Sequence, residues 1–408
     1  MIRILEYKDA SELAARKTQR LDEAEAVVAP ILADVRKRGD AALLDYARKF
    51  DKFTGSSVRI PVKGLLTPAF QQAMEVAAAN IREYAQLQLP VEKSVEYPDG
   101  RRVGQIVRPL DSMGAYTPAG RYPLPSTLLM NVIPAQVAGV KTICVACPNP
   151  SAEILGIASW LGVTHFFQMG GAQAIAALAY GTETVPRVDR IVGPGNIYVA
   201  AAKKLIAGET GIDFVAGPTE IVIIAAEGNP RWIAADMLAQ AEHDVDASAI
   251  LLTTSRELAQ AVALEIERQL ATLPTAGVAR VSIENNGAIV IVDSLDRAVE
   301  FSNTLAPEHL ALHDERLLSA IQNAGSVFLG PSSPEAAGDY ASGPNHVLPT
   351  SGQARLRGGL SAADFVKVIS IQELKPEALA KLTPAITMLA RAEGLEAHAR
   401  SVEARQHE

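Results

Sequence analysis

Two residues whose side chains could carry out acid–base chemistry are adjacent in the sequence. They are Glu308, a carboxylate, and His309, an imidazole, and they follow directly after Pro307. Histidine titrates near neutral pH, and burial raises the pKa of a glutamate towards the same range. If the pair lies on a helix, its side chains point about 100° apart, so they suit two separate proton transfers around one substrate better than a mutual ion pair. The alternative is an ordinary helix start, where the glutamate is favourable and the histidine is merely exposed.

A second group of polar side chains could hold a metal ion. Its members lie in motifs of the second half of the chain and comprise Gln240, His243, Asp339, His346, Glu393 and His398. Gln240 and His243 are three residues apart on a predicted helix and therefore share a face. Imidazole combined with carboxylate and amide oxygen suits Zn, Mn or Co, and the lack of thiolate argues against a structural zinc. The alternatives are a solvated helix face for His398 and an ordinary surface position for Gln240.

The elements that must position these residues follow an alternating pattern from about residue 113 onward. Helix-like runs separate strand-like runs at 142–147, 164–168, 189–193 and 212–215, and a second set extends from 220 to 329. Such alternation predicts parallel βαβ units. We therefore expect an α/β protein with two doubly wound, Rossmann-like domains of similar make-up, a short polar N-terminal arm and a helical C-terminal arm.

Two glycine-rich corners follow predicted strands, at the carboxyl edge where such sheets bind ligands. They are Gln168-Met169-Gly170-Gly171-Ala172 and Ile191-Val192-Gly193-Pro194-Gly195-Asn196. Glycine allows close approach of a phosphate, and free N–H groups at the following helix start can bind it. Neither corner is the dinucleotide fingerprint G-x-G-x-x-G, so tight packing turns remain the alternative.

Composition narrows the classes of partner. The chain has 408 residues and a formal charge of −8, which argues against nucleic acid because phosphate binding needs basic patches. No apolar run approaches the roughly 20 residues that cross a bilayer, so we expect no membrane partner. The N-terminus lacks the apolar centre of a signal peptide, which predicts a cytoplasmic location.

Six motifs in order give a specific resemblance. They are Gly170-Gly171-Ala172-Gln173-Ala174, Gly193-Pro194-Gly195-Asn196, Ala216-Gly217-Pro218, Gln240-Ala241-Glu242-His243, Pro307-Glu308-His309-Leu310 and Gly338-Asp339-Tyr340-Ala341-Ser342-Gly343. From about residue 20 to 405 the chain resembles the histidinol dehydrogenase family. The resemblance implies a zinc enzyme of histidine biosynthesis that oxidises L-histidinol to L-histidine with NAD⁺, through an aldehyde that stays bound.

The resemblance also implies a role for each matching residue. The ligands of one Zn²⁺ per subunit correspond to Gln240, His243, Asp339 and His398. Glu308 and His309 correspond to the catalytic acid/base pair. The substrate contacts correspond to Thr219, His346 and Glu393 together with His309 and the metal ligands. The NAD side corresponds to Tyr116, Gln173 and Asn196.

The family's organisation predicts a homodimer with shared active sites. We expect an N-terminal arm over 1–21 and a second, NAD-side α/β domain over 115–220. The first α/β domain, with the metal and catalytic residues, is expected to combine 22–114 with 221–355. A C-terminal helical arm over 356–408 would reach the partner subunit, so that His398 and Glu393 serve the partner's site.

Two positions depart from the family's usual pattern. Thr219 stands where serine is usual, which keeps the hydroxyl but adds a methyl group to the substrate pocket. Ala119 replaces the first glycine of the usual Pro-Gly-Gly. A related metal- and NAD-dependent dehydrogenase of another small alcohol is therefore the alternative. A metallohydrolase would need no nucleotide, and a metal-binding module would need neither His309 nor the glycine-rich corners.

Overall fold

The computed structural model describes residues 1–14, 21–118 and 124–406, so the departure at Ala119 lies outside the described residues. The strands, in chain order, are β1 Arg3–Glu6, β2 Lys93–Glu96, β3 Arg101–Pro109, β4 Ser112–Tyr116, β5 Thr142–Ala146, β6 His165–Phe167, β7 Arg190–Val192, β8 Gly211–Ile212, β9 Glu220–Ile224, β10 Ser248–Thr253, β11 Ala288–Ile291, β12 His309–Leu312, β13 Ser326–Leu329 and β14 Val366–Leu374.

The helices are α1 Ser11–Ala14, α2 Leu21–Arg38, α3 Asp40–Asp51, α4 Pro68–Leu87, α5 Pro125–Ala138, α6 Ala152–Trp160, α7 Gly171–Tyr180, α8 Ile197–Ile206, α9 Pro230–Ala241, α10 Arg256–Leu270, α11 Ala276–Asn286, α12 Leu295–Leu305, α13 Glu335–Tyr340, α14 Pro376–Ala392 and α15 Glu396–Glu403. Of these helices, none is long and apolar enough to cross a membrane.

The chain divides into two compact units, of which the larger contains residues 1–88 and 111–365. It holds two parallel sheets: a five-stranded sheet of order β6-β5-β4-β7-β8 and a six-stranded sheet of order β1-β11-β10-β9-β12-β13. If the strands are numbered along the chain from β4 in the first sheet and from β9 in the second, both sheets have the doubly wound strand order 3-2-1-4-5. In the second sheet, β1 is added as a sixth strand beside β11. The expectation of an α/β protein with two Rossmann-like halves is confirmed.

The N-terminal segments differ from the sequence expectation. Residues 3–6, expected to belong to a polar arm, form β1 and pair in parallel with β11. Helix α2 packs on α7 and α8, and α4 packs on α5, so these helices cover the five-stranded sheet. The expected grouping of 22–114 with 221–355 therefore differs from the contacts. An amphipathic helix shows that it buries one face, but its sequence does not specify the sheet that it covers.

The smaller unit contains residues 89–110 and 366–408. It consists of an antiparallel sheet of order β14-β3-β2 and the helices α14 and α15, which pack against each other. The expected C-terminal arm is thus helical from Pro376, but Val366–Leu374 is a strand paired along its whole length with β3. Residues 93–109, expected in the first α/β domain, belong to this sheet instead.

Candidate functional site

The catalytic pair expected from the sequence lies at the amino edge of the six-stranded sheet. Helix α12 ends at Leu305, and Ala306 takes a left-handed conformation (φ 54°) before Pro307. The pair therefore precedes and opens β12 rather than a helix, which corrects the helical interpretation. His309 is in register with Ile221 of the neighbouring β9. Because the two strands are parallel and adjacent, the residues that begin them meet, and Thr219 comes to lie beside Glu308.

Glu308 is buried and held from the start of β9. Its Oε2 accepts hydrogen bonds from the Thr219 hydroxyl (2.5 Å) and from the Glu220 N–H (3.0 Å). Burial raises the pKa of Glu308 well above its ordinary value, the two hydrogen bonds oppose this shift, and the nearby Glu220 and Asp339 carboxyls add to it. A proton is thus easily held on this carboxyl, and a nearby cation would favour the ionised form.

His309 is oriented as a neutral base. Its Nδ1 lies 3.2 Å from the Glu220 carbonyl oxygen, to which an Nδ1–H donates. Its Nε2 is buried, has no hydrogen-bond partner among the described residues, and lies 3.8 Å from Asp339 Oδ1. Burial lowers the pKa of His309 to about 4. In this tautomer, assigned from the hydrogen bond, Nε2 is a free acceptor, which is the state that a general base requires.

Two helix ends bring a set of metal-binding side chains to the same edge. His243 follows α9, and Asp339 lies near the end of α13, with His243 Nε2 and Asp339 Oδ2 3.8 Å apart. The Asp339 carboxylate raises the pKa of His243. One ligand atom from each of His243, Asp339 and Glu335 lies within 4.8 Å of the other two. This separation allows one ion to contact all three.

The sequence reasoning missed Glu335. The residue is 2 % exposed, and burial raises the pKa of its carboxyl well above the ordinary value. It precedes Asp339 by four residues on α13, so the spacing that places both on one helix face was present in the sequence. A glutamate in a helix is usually solvated, and only the packing of α13 reveals that this one is enclosed.

Gln240, in the last turn of α9, is fully buried between Thr219 and Glu335. The side-chain amide of Gln240 has two possible orientations. In the first, the nitrogen donates to Thr219 Oγ1 at 2.7 Å and the oxygen faces the Glu335 carboxyl. Two acceptors in contact need a proton or a cation between them. With the amide reversed, the nitrogen donates to Glu335 Oε1 at 2.7 Å instead. The first orientation presents an amide oxygen and a carboxylate to a cation.

The remaining predicted residues divide between the two units. His346 is fixed by Nδ1, 2.7 Å from the Asp339 carbonyl oxygen, and by Nε2, 3.2 Å from Thr127 Oγ1. A cavity of about 170 Å³ is lined by Thr219, His243, Glu308, His309, Asp339 and His346. Gln240 lies buried against Thr219. Glu393 and His398 belong to the smaller unit, at the end of α14 and on α15.

A second cavity lies at the carboxyl edge of the five-stranded sheet. It has a volume of about 510 Å³, and Tyr116, Gln173 and Asn196 are among the residues that line it. The Tyr116 hydroxyl accepts a hydrogen bond from the Gly171 N–H (3.1 Å), and burial raises the pKa of this phenol to about 12. Asn196 caps α8 by accepting from the Tyr198 and Val199 N–H groups. The two glycine-rich corners therefore meet at one cavity.

The corner at Gly193 requires glycine and is held by buried charges. Gly193 has φ 112°, and a Cβ there would stand 2.1 Å from the Tyr116 carbonyl oxygen. Its N–H donates to Asp213 Oδ2 (2.8 Å), and its carbonyl accepts from Lys203 Nζ (3.1 Å). Lys203 and Asp213 also form an ion pair, with side chains 2 % and 0 % exposed. The loop at this edge of the cavity is thus fixed by a buried ion pair.

Comparison with known proteins gives a consistent result. The family model described as histidinol dehydrogenase matches residues 14–406. The chain belongs to the histidinol dehydrogenase family. The histidinol dehydrogenase of Geobacter sulfurreducens is 46 % identical over 433 aligned residues, covering 99 % of this chain and 100 % of that protein. That of Bacillus cereus is 48 % identical, covering 93 % of this chain and 92 % of that protein.

A solved structure agrees with the sequence relatives. The crystal structure of histidinol dehydrogenase from Elizabethkingia anophelis matches with a TM-score of 0.94 and 37 % identity, covering 99 % of this chain and 98 % of that one. As a member of the histidinol dehydrogenase family, the chain is an NAD-dependent oxidoreductase of histidine biosynthesis that acts on a small-molecule substrate. The sequence expectation of this enzyme class is confirmed.

Proposed function

We propose that the chain oxidises L-histidinol to L-histidine in two successive NAD⁺-dependent steps, through L-histidinal that stays bound. The observation that carries this proposal is the small cavity at the amino edge of the six-stranded sheet. There a neutral His309 with a free Nε2 lies beside Glu308 and beside the His243–Asp339 pair. The arrangement provides a base, a second acid/base group and ligands for a metal ion at one place.

We further propose one Zn²⁺ per subunit, held by Gln240, His243 and Asp339 and completed by the partner subunit's His398. The donor set fits the ion: the His243 imidazole and the Asp339 carboxylate lie within reach of one ion, and the Gln240 amide oxygen can face the Glu335 carboxyl of the same cluster, an arrangement that a cation satisfies. When bound, zinc would hold the polar groups of the substrate and favour deprotonation of its hydroxyl.

The chain's own residues then account for the proton transfers. His309 Nε2 accepts the substrate's hydroxyl proton while hydride leaves the carbinol carbon for NAD⁺, which gives the aldehyde. Glu308 accepts a proton from the water that adds to the aldehyde, and the resulting hydrate anion loses a second hydride to a second NAD⁺, which gives the carboxylic acid. The Thr219 hydroxyl and the Glu220 N–H hold the Glu308 carboxyl in place for this role.

For the cofactor we propose the cavity lined by Tyr116, Gln173 and Asn196. The six-stranded half, from about 221 to 355, would then carry the metal and catalytic residues. The five-stranded half, from about 115 to 220, would bind NAD. The support is that the cavity lies at the carboxyl ends of parallel strands and beside the starts of α7 and α8, where doubly wound sheets bind nucleotides.

We propose that the protein is a homodimer whose smaller unit serves the other subunit. In that unit, apolar side chains are exposed, among them Val368, Met388 and Leu389, at 50 %, 71 % and 65 %. Several large apolar side chains exposed within one small unit support a surface that a second subunit covers. Substrate contacts would come from Thr219, His346 and the partner subunit's Glu393. A cytoplasmic location, where NAD⁺ and biosynthetic intermediates are available, completes the proposal.

The decisive experiment is NADH formation by the purified protein with L-histidinol. We expect two NADH per histidinol, loss of turnover after chelation, and recovery when Zn²⁺ or Mn²⁺ is added back. Other small amino alcohols, tested in parallel, should react far more slowly. Full activity in metal-free protein would contradict the zinc site, and a faster reaction with another alcohol would favour the related dehydrogenase named above.

A further inference from the structure

The cavity at the carboxyl edge of the five-stranded sheet holds a charged residue to which no role has been given. Asp51, the last residue of α3, lines this cavity together with Tyr116 and Gln173. Among the described residues that line it, Asp51 is the charged one; the others are apolar, aromatic or amide side chains or glycine. The charge of this cavity is therefore set by a single carboxylate.

One oxygen of this carboxylate is occupied and the other is available. Asp51 Oδ2 accepts from the Gly170 N–H (3.1 Å) and from the Gln173 side-chain amide (3.2 Å). Oδ1 has no hydrogen-bond partner among the described residues. The contacts at Oδ2 fix the position of the side chain, so Oδ1 is held ready to accept from a hydroxyl group.

The place of Asp51 in the sheet gives Oδ1 a specific use. In doubly wound sheets of this strand order, an acidic residue after the second strand accepts from the 2′-hydroxyl of the adenosine ribose. Here β5 is the second strand, and it is followed by Cys147-Pro148-Asn149-Pro150, which contains no acid. A methyl group at Gly170 would stand 2.7 Å from Pro148 Cβ and 3.1 Å from Asp51 Oδ1. Asp51 thus lies beside the end of β5, in the position of the missing acid.

We propose that Asp51 is the specificity residue of the cofactor site, which binds the adenosine 2′-hydroxyl of NAD⁺ and rejects the 2′-phosphate of NADP⁺. This inference rests on the proposed function, because it takes the cavity to be the NAD site. A carboxylate accepts from a hydroxyl but repels a phosphate. Lys52, the next residue, lines the adjoining cavity together with Asp51, so a cationic residue remains next to this position once the Asp51 charge is removed.

The test compares Asp51→Asn with Asp51→Glu and a matched control. Asn keeps an oxygen that accepts from the Gly170 N–H, so it removes the charge with little change in shape, whereas Glu keeps the charge. Asp45→Asn, on the same helix but at the surface and paired with Arg38, is the control. Binding of ADP-ribose, its 2′-phosphate and its 2′-deoxy analogue is measured by calorimetry. Turnover with NAD⁺ and NADP⁺ is measured alongside.

We expect Asp51→Asn to reduce the preference for ADP-ribose over its 2′-phosphate by about 10- to 100-fold, the usual worth of a hydrogen bond to a charged group. The affinity for the 2′-deoxy analogue should stay unchanged. Asp51→Glu should still reject the 2′-phosphate, and Asp45→Asn should behave as the unaltered protein. An equal loss of affinity for all three ligands would mean that Asp51 only caps α7, and this result would overturn the inference. An unchanged preference for ADP-ribose over its 2′-phosphate would overturn it as well.

The proposed function fails in a different way. If the unaltered protein binds none of the three ligands and forms no NADH from histidinol, the cofactor assignment itself is wrong and the inference falls with it. If the protein reduces NAD⁺ but Asp51→Asn leaves the discrimination intact, the inference alone is refuted. Thermal unfolding of each variant shows whether the fold is retained, and a charge-free Asp51→Ser variant provides the same comparison if the asparagine variant does not fold.

Discussion

Replacing Lys203 with methionine should lower the free energy of unfolding of the five-stranded half by about 3–5 kcal/mol, the usual cost of breaking a buried ion pair by removing one partner. Methionine fills the space of the lysine stem but leaves the fully buried Asp213 carboxylate without its cation. It also removes the donor to the Gly193 carbonyl. The N–H groups of Gly193 and Phe214 still donate to Asp213, at 2.8 and 2.7 Å, which keeps the cost from rising further.

Urea titration followed by tryptophan fluorescence measures this cost locally. The chain has two tryptophans: Trp160 on α6 belongs to the five-stranded half, and Trp232 on α9 belongs to the six-stranded half. In a Trp232→Phe background the signal comes from Trp160 alone. The transition of the Lys203→Met variant should move to lower urea with an unchanged slope. Because the loop that begins at Gly193 leads to Asn196, which lines the proposed cofactor cavity, NAD⁺ binding should weaken as well.

The neighbouring lysine is the matched control. Lys204 on the same helix pairs with Glu25 at the surface, with side chains 46 % and 22 % exposed, so Lys204→Met should leave the transition almost unchanged. The double variant Lys203→Met/Asp213→Asn removes the stranded charge and should be more stable than Lys203→Met alone. A cost below about 1 kcal/mol for the single variant, or a double variant less stable than the single one, would refute the reasoning.

Further predictions concern the catalytic residues. If the partner subunit's His398 completes each site, His398→Ala and His309→Ala proteins should be nearly inactive alone, yet mixed heterodimers should regain up to about half of their sites, because one site holds both defects and the other none. No recovery in verified heterodimers would contradict the shared site. His309→Asn should slow alcohol oxidation by roughly 10²–10⁴-fold. Glu308→Gln should spare that step and accumulate trappable aldehyde with one NADH per histidinol; equal slowing of both oxidations would refute this division of roles.

Much of the fold was predictable because strand and helix periods are local properties of the sequence. The runs at 142–147 and 164–168 correspond to β5 and β6 within a residue at each end. The pairing of residues 3–6 with β11 was not predictable, since the two segments are far apart in sequence and a short alternating run also suits an exposed arm. Parallel pairing depends on contacts that no local pattern encodes.

The site was predictable where the residue type itself indicates chemistry. Histidines and a glutamate beside a proline attract notice, and the residues Glu308, His309, His243 and Asp339 do line one cavity. Their secondary structure was harder to infer, because the left-handed turn at Ala306 that converts a helix end into a strand start has no glycine to mark it. Asp51 was missed because it reaches its cavity from a helix outside the βαβ units.

The two halves share a strand order, but their candidate sites lie at opposite edges of the sheets. The helix ends that reach these two edges carry opposite partial charges. Helix α9 ends beside Gln240 and His243, so its terminal carbonyls, with about half a negative charge, face the region of the metal ligands. Helices α7 and α8 begin at the cofactor cavity, where their N–H groups carry the opposite partial charge. The amino edge of one sheet therefore attracts cations and the carboxyl edge of the other attracts phosphates. The same strand order therefore provides a site suited to a cation at the amino ends of one sheet and a site suited to phosphates at the carboxyl ends of the other.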